Sequence, residues 1–269
     1  MRYTFDHLDL IQEVLKRSPF GLITDVDGTI SEIAPTPQKA RVSPSCRRYL
    51  KVLCNHLALV AAISGRPVAQ VRDMIGVRGM VYIGNHGLER WTVNNTELPN
   101  NTRDYLGVAK SVIKELTPLC SMAGVSIENK GATVTIHYRL SSEPQLVERE
   151  ILDSVKALAQ AKDLRVIMGK MAINLLPAVE IDKGSATLDL IKEYSLQGGL
   201  YLGDDLTDLD AFRALHTAAR DLNFQGFAIG ITGPEMPKRL AAEADFTLSG
   251  VRDVGRFLRW LSQDVPRLG

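Results

Sequence analysis

Short apolar runs that alternate with helical stretches constrain this chain more than any other feature. Phe20–Thr24 is apolar and closed by Asp and Gly, and similar runs lie at 57–63 and 80–83. Between them, helical spacing is visible at 44–56 and 67–75, the first opened by Ser43 and Pro44. Ser at the cap and Pro at the first helical position mark a helix start. The pattern resumes far along the chain, with helices at 184–194, 208–215 and 251–261 and strands at 199–202, 226–231 and 244–248. Apolar runs of this length bounded by turn residues are buried strands. Strands alternating with helices predict an α/β fold, a Rossmann-like parallel sheet with helices on both faces.

The middle of the chain breaks this rhythm. A helix at 101–119 precedes strands at 125–129 and 132–140, which turn at Lys130-Gly131. A helix at 143–161 precedes strands at 164–168 and 171–175, which turn at Gly169-Lys170. This αββαββ order is an α+β module inserted into the α/β chain. The Asn/Thr-rich stretch 92–102 and the segment 176–182 are the natural hinges. The expected domains are therefore 1–100 with 177–269, and 101–176.

Bulk properties exclude several classes. Lys and Arg number 32 against 31 Asp and Glu, so no basic footprint for nucleic acid is present. The three cysteines Cys46, Cys54 and Cys120 form no Cys-x-x-Cys pair and read as reduced thiols. The first residues are too charged for a signal peptide, and no apolar run approaches the roughly 20 residues of a membrane span. A cytoplasmic location is the expectation.

The polar motifs all fall after core strands. D-V-D-G-T (25–29) follows the first, S-G-R (64–66) the second, N-H-G (85–87) the third, and G-D-D-L-T-D (203–208) the strand ending at Leu202. Lys183 opens a helix. In open α/β sheets this edge is where ligands bind. Singly, each motif has an ordinary reading: an Asp-Gly turn, a helix cap, a solvated lysine. Gathered at one edge, the aspartates repel and call for a positive partner. A hard divalent cation such as Mg²⁺, held by a few carboxylates, answers that need. One aspartate could then attack phosphorus, with the lysine and the serine hydroxyl offsetting charge on the phosphate oxygens.

These motifs together resemble the haloacid dehalogenase-like phosphatase superfamily, whose larger mixed α/β cap the insert is similar to. More narrowly, I-S-G-R (63–66), G-N-H-G-L-E (84–89), I-E-N-K-G (127–131), I-H-Y-R (136–139), D-K-G (182–184) and G-D-D-L-T-D-L-D-A-F (203–212) resemble the trehalose-6-phosphate phosphatase family. The resemblance implies Asp25 as nucleophile and Asp27 as general acid and base. It implies Ser64, Gly65, Arg66 and Lys183 on the phosphate. Asp25, Asp27 and Asp204 would hold Mg²⁺, supported by Asp205 and Asp208. Glu128, Lys130, Asn174, Asn85 and His86 are the implied sugar contacts. The implied partner is a small sugar phosphate, with neither nucleic acid nor membrane, and the chain is expected to act as a monomer. One departure stands out. Asn174, in A-I-N-L-L-P, occupies the place of the family's cap glutamate. Another sugar phosphate, such as glucosylglycerol phosphate or mannosyl-phosphoglycerate, therefore stays open as substrate. A phosphomutase and a phosphoacceptor receiver module are the remaining alternatives. On the cap, Glu128, Lys130, His137, Arg139 and Lys170 read either as sugar contacts or as a solvated sheet face with cross-strand ion pairs.

Overall fold

A computed structural model of the chain describes residues 2–91, 96–97, 105–169, 171–233 and 237–265. It divides into two compact units, Met1–Glu97 with Ile181–Gly269, and Leu98–Glu180. In chain order the strands are β1 (Phe20–Thr24), β2 (Leu59–Ile63), β3 (Val81–Gly84), β4 (Glu89–Trp91), β5 (Thr96–Glu97) and β6 (Ser126–Asn129). They continue as β7 (Val134–His137), β8 (Leu164–Gly169), β9 (Ala172–Pro177), β10 (Gly198–Gly203), β11 (Gln225–Thr232) and β12 (Phe246–Ser249).

The first unit carries a sheet in the order β12-β11-β10-β1-β2-β3-β4-β5. Its strands are parallel from β12 to β3, and β4 and β5 add on antiparallel. Alternating side chains of each strand serve opposite faces. Leu22, Leu200 and Leu202 pack on one face against α1 (Leu8–Leu15), α2 (Pro44–Leu53), α3 (Val68–Ile75) and α9 (Gly250–Asp264). Ile23 and Tyr201 pack on the other against α6 (Lys183–Glu193), α7 (Asp208–Asp221) and α8 (Lys238–Glu243). From β1 the chain winds through β2 and β3 to one side, and later through β10, β11 and β12 to the other. The winding direction therefore reverses between the neighbours β1 and β10. At such a point the loops leaving the two strands part, and a crevice opens at their carboxyl ends.

The second unit holds an antiparallel sheet in the order β6-β7-β9-β8. Ile127, Ile136 and Ile173 stand in register, and so do Glu128, Thr135 and Asn174 one step along. Period-two alternation sends these two rows to opposite faces. Ile136 and Ile173 join the core under α4 (Tyr105–Leu116) and α5 (Pro144–Ala161), through Val112, Leu116, Ile151 and Val155. The other row is polar. Met168, Met171 and the buried Tyr138 pack with this core, and Trp91 packs in the first unit under the Arg72 guanidinium, 4.2 Å from its ring centre. Of the expected features, residues 101–104 of the helix before β6, most of the 92–102 hinge, and Lys170 lie outside the described residues.

Candidate active site

The site is built where β1 and β10 end. Asp25 follows β1 directly, and its amide donates to the Leu202 carbonyl at 2.8 Å, extending the ladder by one residue. Asp204 follows β10, and Asp208 opens α7 one turn later. Asp208 is wholly buried, and its carboxylate caps the turn before its own helix. Oδ2 accepts from the amides of Asp204 (2.9 Å) and Asp205 (3.0 Å), while Oδ1 accepts from the Tyr201 hydroxyl at 2.9 Å. A side chain at 203 would place its Cβ 2.4 Å from Asp208 Cγ, so glycine there is what lets the carboxylate fold back.

Lys183 comes in from the first turn of α6. Asp182 caps that helix by accepting from the Ser185 amide at 2.8 Å, while the Ser185 hydroxyl accepts from the Asp182 amide. This reciprocal cap fixes the helix start. It sends Lys183 inward, where Nζ donates to Asp25 Oδ1 and Asp208 Oδ1, each at 2.7 Å. Burial opposes the lysine's charge, but the carboxylates of Asp208 and Asp25 outweigh it and hold the ammonium well above the usual lysine range. Burial also pushes the Asp25 carboxyl well up; Lys183 pulls it back, and Asp208 and Asp204 reinforce the rise.

Asp25, Asp204 and Asp208 each offer an oxygen within 4.8 Å of the others, all of them buried. Three buried carboxylates around one lysine leave a net negative site. Hard oxygen donors of this number suit a small divalent cation. The loop over them is made for close approach. Gly28 has φ +89°, and a Cβ there would lie 1.8 Å from Asp204 Oδ2. Thr29 donates its hydroxyl to Asp204 Oδ1 at 3.2 Å. The donor set thus fits a divalent cation, with Gly28 letting the loop lie directly against Asp204.

Asp27 sits apart from that cluster. Arg66 grips it with both prongs, Nε to Oδ2 at 2.5 Å and Nη2 to Oδ1 at 2.7 Å, while Nη1 donates to the Pro37 carbonyl at 3.0 Å. Arg66, which the resemblance implies as a phosphate contact, has its guanidinium fork on Asp27 here. Ser64 is buried, and its hydroxyl accepts from the Arg66 amide at 3.2 Å. The His86 ring lies flush on Gly65, where a Cβ would meet Cε1 at 2.5 Å. Asn85 and His86 both have positive φ (46° and 59°). The Asn85 amide donates to Glu89 Oε1 at 2.7 Å, and Glu89 Oε2 accepts the Val68 amide at the start of α3, also at 2.7 Å. Glu89 thus ties the strained Asn85-His86 turn to the S-G-R loop. Sequence reasoning left Glu89 without a role, although its place in G-N-H-G-L-E was the available signal.

In the second unit, Glu128 Oε2 meets His137 Nε2 at 2.8 Å and Lys130 Nζ at 3.8 Å, all on the polar face. Asn174 is engaged within that sheet: Oδ1 accepts from the Thr135 hydroxyl at 2.7 Å, and its amide donates to the Ile167 carbonyl at 3.4 Å. It braces the polar row, with one bond made by each end of its amide.

A mostly parallel sheet with carboxylates and a lysine at its switch point is the architecture of a haloacid dehalogenase-like phosphatase. A family model, described as trehalose-phosphatase, matches residues 23–237, and the chain belongs to that family. It is 31% identical over 269 residues to a trehalose-phosphate phosphatase of Mycobacterium leprae, covering 96% of this chain and 61% of that protein. It is 31% identical to a probable trehalose-phosphate phosphatase 3 of Oryza sativa, covering 88% of this chain and 68% of that one. The chain thus spans about two thirds or less of the length of these relatives. Among solved structures, the C-terminal domain of a C. albicans trehalose-6-phosphate phosphatase shares the fold at TM-score 0.80 and 22% identity, over 96% of this chain and 97% of that one. An Aspergillus fumigatus trehalose-6-phosphate phosphatase does so at TM-score 0.65 and 24% identity, over 98% and 99%. Among the described residues, no helix is long and apolar enough to cross a membrane.

Proposed function

We propose that the chain is a Mg²⁺-dependent phosphatase that hydrolyses trehalose 6-phosphate. The observation that carries the reading is the buried Asp25–Lys183–Asp208 set beside Asp204, at the sheet's switch point. Lys183 holds Oδ1 of Asp25, so Oδ2 is the oxygen that attacks phosphorus. As the Asp25–phosphorus bond forms, the bond to the sugar oxygen breaks, and Asp27 donates the proton that oxygen takes up. Asp27 then accepts a proton from water, the water oxygen attacks phosphorus, and the Asp25–phosphorus bond breaks to release phosphate. Lys183 and the Ser64 hydroxyl face the charge on the phosphate oxygens. Asp25, Asp204 and the Asp27 backbone carbonyl would hold Mg²⁺, with Asp205 and Asp208 supporting, and the ion supplies charge neutralisation at the phosphate when bound.

The clasp between Arg66 and Asp27 bears on this route. A carboxylate gripped by an arginine fork is an acceptor only. Service as an acid therefore requires one Asp27 oxygen to leave the fork and carry the proton that it gives to the sugar oxygen, the proton that the hydrolytic water returns to it at the end of each cycle. The family relationship supports trehalose 6-phosphate as substrate, and the polar row of the second unit supports hydroxyl recognition there. Glu128 and Lys130 are the sugar contacts of this reading, Asn174 holds the sheet beneath them, and Asn85 and His86 shape the S-G-R side. We take Met1–Glu97 with Ile181–Gly269 as the catalytic core and Leu98–Glu180 as its cap.

Phosphate release from trehalose 6-phosphate, glucosylglycerol phosphate, mannosyl-phosphoglycerate and glucose 6-phosphate, each with Mg²⁺ and with EDTA, tests the reading. Highest kcat/KM on trehalose 6-phosphate, lost in EDTA, is expected. Preference for any of the other three would move the assignment to that substrate.

A further inference from the structure

A groove of about 800 Å³ lies in the first unit between the 32–45 segment and α9, and its lining includes none of Asp25, Asp204 and Asp208. Its apolar lining includes Ile33, Pro35, Val42, Pro44 and Tyr49. Its charged lining is lopsided: Lys39 and Arg41 come from the loop, Arg252, Arg256 and Arg259 from α9, and Glu32 is the single acid. Arg256 is paired with Asp253 at 2.8 Å and stacks on Phe5, and Arg41 donates to the loop carbonyls of Gln38 and Ala40. Lys39, Arg252 and Arg259 have no ionic partner among the described residues.

Helix stability does not explain this arrangement. Residues 252, 256 and 259 share one face of α9, and like charges four apart weaken a helix. On the neighbouring buried face Gly255 lets α9 close on α2, since a Cβ there would sit 3.0 Å from Ser45 Oγ. A cleft lined by one sign of charge over low-dielectric walls concentrates the field, and this one falls within the size range of small-molecule sites.

We propose that this groove binds a small polyanion with a ring body, of the nucleoside diphosphate class. The arginine row runs about 10 Å along the helix, which is long for a single phosphate and suits two. Arginine forks match phosphate oxygens. The apolar side, with Tyr49, takes the ring. The groove is also wired to the catalytic loop. The 32–42 segment leaves Ser31, whose carbonyl accepts the Gly28 amide at 2.7 Å. It returns where the Ser43 amide meets the Ile30 carbonyl at 2.9 Å. At its tip the Pro37 carbonyl holds Arg66, the clasp on Asp27. Occupancy of the groove therefore sets the loop that positions Arg66, and turnover responds.

Calorimetric titration of the whole chain with ADP, and separately with pyrophosphate, tests the proposal. Both should bind saturably, ADP the tighter. Arg252→Ser with Arg259→Ser, on the exposed side of α9, should weaken ADP at least about tenfold. Turnover without ADP should be unchanged in that variant, and Lys39→Ser on the facing loop should weaken ADP in the same direction. In the wild type, ADP should change kcat. The proposal fails if neither probe saturates by about 1 mM, or if both variants bind ADP as the wild type does. Purely competitive inhibition that persists in the variants would place ADP at the carboxylates and also overturn it. Binding that leaves kcat unmoved would overturn the link through Pro37.

Discussion

Replacing Lys183 by methionine keeps the stem of the side chain and removes its charge. Nζ lies 2.7 Å from an oxygen of Asp25 and of Asp208, and the lysine is only 2% exposed. At an effective dielectric constant near 20, each contact is worth about 6 kcal/mol before desolvation. Burying the three groups cancels much of that, but removing one partner leaves the others stranded. Breaking a buried pair costs about 3–5 kcal/mol. The loss here should lie at that level, since protonation of Asp25 relieves part of the repulsion. At about 2–4 °C per kcal/mol for a body of 150–250 residues, Tm should fall by roughly 6–20 °C. Added Mg²⁺ should recover part of the fall, because a cation offsets the same carboxylates. Adding Asp208→Asn to Lys183→Met should cost less than the two single changes summed, since the residues share one network. Thermal unfolding followed by circular dichroism reads all of this, and phosphate release should drop at least about 100-fold alongside. A Tm within about 1 °C of the wild type, or strict additivity in the double variant, would refute the account of the lysine as the charge that holds the site together.

Further outcomes follow from the same geometry. Gly28→Ala forces a side chain into φ +89° and onto Asp204; turnover should collapse while a titration with Mg²⁺ shows weakened binding, and wild-type affinity would show that the loop yields. Glu128→Ala should lower kcat/KM for trehalose 6-phosphate about tenfold or more and leave p-nitrophenyl phosphate untouched; equal losses on both would remove Glu128 from sugar recognition. Cys46, whose thiol burial pushes up to about 11, should resist alkylation in the folded chain, while the exposed Cys120 reacts; peptide mapping after iodoacetamide treatment decides it. His216 should titrate above 6.5, held up by its hydrogen bond to Asp245, and Asp245→Asn should lower that value in an NMR titration. The stability this pair contributes is complete below pH 6.5 and fades as pH rises through the raised folded value.

The sheet was legible because its strands are apolar on both sides and end at Asp, Gly or Ser. Phe20–Thr24 emerges with those very bounds, and the period-two rows of the inserted sheet follow from Ile127, Ile136 and Ile173 alternating with Glu128, Thr135 and Asn174. Elements held by little burial were not legible. α8 buries Leu240 alone, β4 is three residues long and pairs with the two-residue edge strand β5, and α7 runs on to Asp221 through His216, Thr217 and Arg220, where Ala218 is its sole buried anchor. In the site, the aspartates and Lys183 could be read because their places follow from strand ends and a helix cap. Pairing could not. Arg66 reaches Asp27 across a distance of 39 residues, and Asn174 turns to Thr135 across the same separation. Such contacts depend on how two loops or strands meet, which spacing along the chain does not encode.

The central claim is that Asp25 carries the phosphoryl group. Asp27→Asn removes both the acid that assists sugar departure and the base that activates water, so the intermediate should form slowly and then persist when this variant is incubated with trehalose 6-phosphate and Mg²⁺ and quenched in acid. Mass spectrometry of the peptide containing residues 25–29 should then show one added phosphoryl group on Asp25, released by hydroxylamine as an acyl phosphate is. A phosphoryl group on another residue would contradict the account, as would an unmodified Asp25 in a variant that still releases the sugar.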